Sequence, residues 1–70
     1  MKSEKTEFDF GYEYAESLGD CEPVDIGEMV LASEDIPTED WLEMTRHGIK
    51  NPDSREYWRG FNARAEEVQA

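Results

Sequence analysis

Proline and glycine cut this chain into segments too short for most architectures. Gly19, Pro23, Pro37, Gly48 and Pro52 interrupt it in turn, and each proline pushes the residue before it away from helical backbone. Between the breaks, apolar residues recur three and four positions apart, the period of a helix that buries one face. The expected fold class is therefore mostly α, a small helical domain.

The start and stop signals place the helices. Thr6 can cap a first helix running to Leu18, with Asp9 reaching back as a short-armed capping box. Phe8, Tyr12 and Ala15 are its expected apolar face, which leaves Tyr14 off that face and exposed. Asp25, completed by Glu28, can cap a short second helix that turns Ile26, Met29 and Val30 inward. A strand through Met29-Val30-Leu31 is the alternative there, because Gly27 weakens the helix. Thr38 opens a third helix with Trp41, Leu42 and Thr45 on one side, closed by Gly48. Asp53 caps the last, with Glu56 at the capping-box position and Tyr57, Trp58, Phe61, Ala65 and Val68 as a buried stripe. Gly60, inside that helix, costs about 1 kcal/mol relative to alanine, so it is expected to admit a second helix at close range. Joining the aromatics of the first and last helices gives an antiparallel pair with the shorter helices between. Residues 1–70 read as one acidic domain, with residues 1–5 frayed.

Seventy residues bury little surface, so stability rests on a few large side chains, and a homodimer partner or a bound target would add burial. The lone Cys21 cannot form an internal disulfide, which fits a reducing cytoplasm. No apolar run approaches the ~20 residues that span a bilayer, and none follows Met1-Lys2-Ser3-Glu4-Lys5, so the expectation is a soluble cytoplasmic protein, in the host cytoplasm if phage-encoded.

Charge is distributed unevenly. Residues 1–45 carry fourteen acids and two bases, whereas residues 46–70 carry four acids and five bases. The whole chain stands at −11. Such a surface repels nucleic acid and anionic membranes, and it speeds encounter with a basic protein surface. High charge also keeps small proteins soluble, but this much self-repulsion in a small domain is more than solubility requires.

The two ends echo one another, Gly11-Tyr12 with Ala15 near the start and Gly60-Phe61 with Ala63 near the finish. Together with Asn51-Pro52 ahead of Arg55-Glu56-Tyr57-Trp58-Arg59-Gly60-Phe61, this resembles the short ribosome modulation factor-like proteins of bacteria and their phages. Those share an initial helix with a Gly-aromatic-x-x-Ala signature and a final helix with Trp-x-x-Gly-aromatic. The resemblance covers about Phe8 to Gly19 and Asn51 to Ala65, and implies a two-helix core in a bacterial or phage setting. The chain departs from the family in its acidity, since RNA-binding members are strongly basic as counterion release demands, and in the longer segment from Cys21 to Ile49.

Enzyme chemistry is not expected. A catalytic carboxylate needs a desolvated site that shifts its pKa, and the acids here read as solvated or partner-facing. Cys21 and His47 stand alone, without the paired spacing of a zinc site, and no phosphate-binding glycine loop is present; no metal and no cofactor are expected. The favoured expectation is an acidic inhibitor that occupies the basic nucleic-acid-binding surface of a partner, as an anti-CRISPR or anti-restriction mimic does. Glu13, Glu16, Asp20, Glu34, Asp35, Glu39, Asp40 and Glu43 are the expected partner-binding residues, converging from three places. The alternative is a ribosome modulation factor-like adaptor acting through Arg55, Arg59 and Arg64 of the last helix.

Overall fold

The computed structural model describes residues 5–32, 38–49 and 53–70. Within them the chain forms α1 (Glu7–Leu18), α2 (Ile26–Leu31), α3 (Thr38–Arg46) and α4 (Ser54–Gln69), and no strand. The helical reading of Met29-Val30-Leu31 therefore holds over the strand. The α1 cap is the full reciprocal box: Thr6 Oγ1 accepts from the Asp9 N–H at 3.3 Å and Asp9 Oδ2 accepts from the Thr6 N–H at 3.1 Å. Gly19 closes α1 at φ +82°, a conformation that favours glycine. Asp25 and Asp53 cap α2 and α4, accepting from the Glu28 and Arg55 N–H groups at 3.2 and 3.0 Å.

α1 and α4 form the principal packed pair, and they meet at glycine. A Cβ on Gly11 would lie 2.7 Å from the Tyr57 carbonyl carbon and 3.1 Å from the Phe61 nitrogen. One on Gly60 would lie 2.7 Å from the Phe8 carbonyl carbon and 2.9 Å from the Tyr12 nitrogen. Each glycine thus sits against the residue three before, and the residue one after, the opposite glycine. The crossing is symmetric, and the echo between the chain ends is its sequence imprint.

The pair is not antiparallel. The Asp53 N–H donates to Glu7 Oε2 at 3.3 Å, joining the two helix starts, and Gln69 Nε2 donates to the Cys21 carbonyl at 3.0 Å, joining the two ends. α1 and α4 therefore cross while running in the same general direction. Only a short loop forces antiparallel neighbours; here the long intervening segment brings the chain back to the start of α1 before α4 begins. The Asp53 N–H that Glu56 was expected to cap is taken by Glu7, and Glu56 pairs with Arg59 instead.

The core consists of Phe10, Ala15, Cys21, Met44, Tyr57, Trp58, Phe61 and Ala65. The α4 stripe is as expected, with Val68 half-buried, but the faces of α1 and α3 are turned. Phe10, not Phe8, is buried, and Tyr14 packs with ring centroids 6.3 Å from Tyr57 and 5.8 Å from Phe61. In α3, Met44 is fully buried, whereas Leu42 is 55% exposed and Thr45 lies on the outside. The rotation of α3 has a polar cause: the hydroxyl of fully buried Tyr57 needs an acceptor, and Asp40, one turn before Met44, supplies it at 2.5 Å. Of residues 1–5, expected to fray, residues 1–4 lie outside the described residues, and the Lys5 ammonium pairs with Glu13 at 2.8 Å.

The segment between α1 and α2 is tied down by a side-chain amide. Asn62 Oδ1 accepts from the Val24 N–H at 2.8 Å, and its Nδ2 donates to the Val24 carbonyl at 2.9 Å. Asn62→Ala removes both bonds at a half-buried site, and a loss of about 1–3 kcal/mol in denaturant unfolding is expected. Asn62→Asp should be at least as damaging, because it sets a carboxylate oxygen against the Val24 carbonyl.

Candidate functional site

A cleft of about 290 Å³ opens between α1 and α3. Its floor is Phe10 and Tyr14, and Ser17 lies on its α1 side. Around this floor stand four carboxylates, Glu13 from α1 and Glu39, Asp40 and Glu43 from α3. The α3 acids follow from helix geometry, since positions 39, 40 and 43 share one side. Glu39 and Asp40 also favour the first turn, where the helix dipole stabilises negative charge.

Four of the eight residues expected to bind a partner therefore come together. Glu16 and Asp20 are exposed but do not line the cleft, and Glu34 and Asp35 lie outside the described residues. Sequence reasoning missed Phe10 and Tyr14 as the floor. Their spacing of four was the available signal, masked by the competing Phe8 and Tyr12 stripe on the same short helix.

One cation is already at the rim. Lys5 Nζ lies 2.8 Å from Glu13 Oε1 and 5.4 Å from the centroid of Phe10, so it uses a carboxylate and an aromatic face at once. The bond to Glu13 is the main reason its ammonium holds its proton more tightly than usual, with the charges of Glu13, Glu43 and Asp9 adding to it. His47, just after α3, meets Phe10 edge-on at 5.5 Å and helps hold that ring. Glu43 pairs with Arg46 at 2.8 Å on the exposed surface. Glu39 has no ion-pair partner among the described residues.

Asp40 differs from its neighbours. Partial burial raises its pKa above the ordinary carboxylate value; the Tyr57 hydrogen bond opposes this, and the charges of Glu39, Glu13 and Glu43 reinforce it. Burial, followed by the bond to Asp40, pushes the Tyr57 hydroxyl well above its usual value, so it remains a donor. The consequence for stability runs opposite to that of a salt-bridged carboxylate. The folded chain binds the Asp40 proton more tightly than the unfolded chain, so this group favours folding as pH falls through its raised pKa and loses that contribution as pH rises. Asp40→Asn keeps an acceptor for Tyr57 without the charge, and its melting temperature at neutral pH should equal or exceed that of the wild type. Asp40→Ala strands a buried hydroxyl and should lose about 1–3 kcal/mol. Thermal melts of both variants from pH 4 to 8 check the pair.

Among the described residues, no three His, Cys, Asp or Glu side chains stand close enough together to share a metal ion. No described helix is long and apolar enough to cross a membrane. Two of the three arginines of α4 are paired within their own helix: Arg59 with Glu56, and Arg64 with Glu67 at 3.2 Å, where Tyr12 also donates to Glu67 at 2.7 Å. Compared with protein-family models, curated proteins and solved structures, the chain matches none of them.

Proposed function

We propose that this chain is a binding protein whose α1–α3 cleft captures lysine or arginine side chains on a basic, nucleic-acid-binding surface of a partner and keeps nucleic acid off it. The observation that carries this reading is the cleft itself, with four carboxylates over an aromatic floor and the ammonium of Lys5 already held at its edge. A partner's cationic side chain would meet the same two kinds of group, with Glu39 open to it. The net charge of −11 would draw a basic surface in from a distance. An anti-restriction or anti-CRISPR role of this kind needs no turnover.

Purified restriction and CRISPR effector complexes provide the test. Their DNA binding should be blocked by the chain at about 50 mM salt, with inhibition falling steeply by about 300 mM, where the Debye length is shorter. Inhibition independent of salt would reject charge as its basis. The adaptor alternative, acting through Arg55, Arg59 and Arg64, is disfavoured by the pairing of Arg59 and Arg64 with carboxylates of their own helix.

A further inference from the structure

We propose that the chain recognises a two-part protein motif, a basic side chain followed two residues later by a large apolar one, seated in the two cavities that Tyr14 lines. This deepens the function proposed above and rests on it. Tyr14 lines two cavities. One is the carboxylate cleft. The other, an apolar groove of about 310 Å³, is bounded by Leu18 of α1, Val24, Met29 of α2, and Trp58 and Phe61 of α4. The two cavities have opposite chemistry, and both open to solvent beside one aromatic side chain.

Two observations distinguish the groove. Leu18, on its rim, is 50% exposed although it ends a helix whose other apolar face is packed. Trp58, in its wall, is 3% exposed, and its Nε1 is buried with no hydrogen-bond partner among the described residues. Buried indole N–H groups normally find an acceptor, and this one has none among the described residues, so it reports any repacking of the groove wall.

Charge complementarity selects the occupant. A second copy of this chain would bring another −11 to an acidic rim, whereas a segment carrying lysine or arginine is attracted to the cleft and can place its apolar neighbour in the groove. In extended backbone, side chains two apart lie on the same side at roughly 6–7 Å, so one short segment can address two cavities that share a lining residue. Arg-x-Leu is therefore the simplest segment that can present both chemistries to neighbouring cavities, and arginine also stacks on aromatic faces.

The test is an NMR titration of the full ¹⁵N-labelled chain with three blocked pentapeptides, Gly-Arg-Gly-Leu-Gly, Gly-Arg-Gly-Gly-Gly and Gly-Gly-Gly-Leu-Gly. The two-part peptide should bind at least about tenfold more tightly than either control, as expected from burying one apolar side chain. It should also shift the Trp58 indole resonance together with the backbone signals of Tyr14 and Glu43. Leu18→Asp should remove that advantage even though it makes the protein more negative, and Leu18→Ser should do so without a change in charge. Equal binding of the two arginine peptides, with Trp58 unmoved, would overturn the two-part motif and leave the acidic cleft standing. Equal binding of the leucine control and the two-part peptide would also overturn it. Failure of both arginine peptides to bind would overturn the motif and the cleft together.

Discussion

Gly11→Ala and Gly60→Ala are each expected to unfold most of the protein. Alanine in place of glycine inside a helix ordinarily stabilises by about 1 kcal/mol, and here the sign reverses. The new methyl would strike backbone, the Tyr57 carbonyl in one case and the Phe8 carbonyl in the other. A flexible side chain could swing away; a helix backbone cannot. The two helices would have to separate, loosening the packing of Tyr57, Trp58 and Phe61, three of the eight core residues. Overpacking of a core costs about 1–3 kcal/mol even where side chains can adjust, and a domain of this size has roughly 3–5 kcal/mol in total. Each variant should lose its cooperative melt by circular dichroism. The double variant should be scarcely worse than either single one, because the first methyl already opens the contact that the second would strike. Gly27→Ala is the control: its nearest neighbour is Asp25 Oδ1 at 3.3 Å, so its effect should stay within about 1 kcal/mol. If either crossing variant melted as the wild type does, α1 and α4 would not meet at these glycines.

Local signals in the sequence translated well. The Thr6–Asp9 box, the Asp25 and Asp53 caps and the Gly19 stop all depend on residues within one turn of each other, and α1, α2 and α4 stand where those signals place them. Facing was harder to read. α1 has an aromatic residue at every second position from Phe8 to Tyr14, so two stripes fit a helical period equally well. The choice between them falls to the Gly11–Ala15 seam, which must lie against α4. In α3, bulk favoured Leu42, but the hydroxyl of Tyr57, seventeen residues away in the chain, requires Asp40 and so turns Met44 inward.

The same distinction governs the site. The acids of α3 were legible because they are neighbours in sequence. That Glu13 joins them across Phe10 and Tyr14, while Glu16 and Asp20 do not, depends on how α1 and α3 lie together. The direction of α4 relative to α1 was likewise out of reach of local pattern, since it is fixed by contacts such as Glu7 with Asp53 and Cys21 with Gln69.

Reversing the charge of Glu13, Glu39 and Glu43 together should abolish inhibition of a basic nucleic-acid-binding partner while leaving the fold intact. Asp40 is excluded because its carboxylate accepts the hydrogen bond of buried Tyr57, so its reversal would confound binding with unfolding. Contacts to charged groups contribute about 1.5–3 kcal/mol each, so three lysines in place of three acceptors should lower affinity by a factor of about 10³ or more. Stability should change little. The triple variant loses the exposed Lys5–Glu13 and Glu43–Arg46 pairs, each worth about 0–1 kcal/mol, and it gains relief from self-repulsion. Each reversal shifts the net charge by two, taking −11 to about −5. Lys5→Ala tests the same cleft with the opposite sign. Removing the ammonium frees Glu13 and the face of Phe10, so affinity for the partner should rise by about two- to fivefold, the equivalent of one exposed ion pair. Opposite responses to lysine loss at position 5 and lysine gain at positions 13, 39 and 43, in proteins that melt alike, would locate binding in this cleft rather than in the overall negative charge. If the triple variant inhibited as well as the wild type, the α1–α3 cleft would not be the binding face.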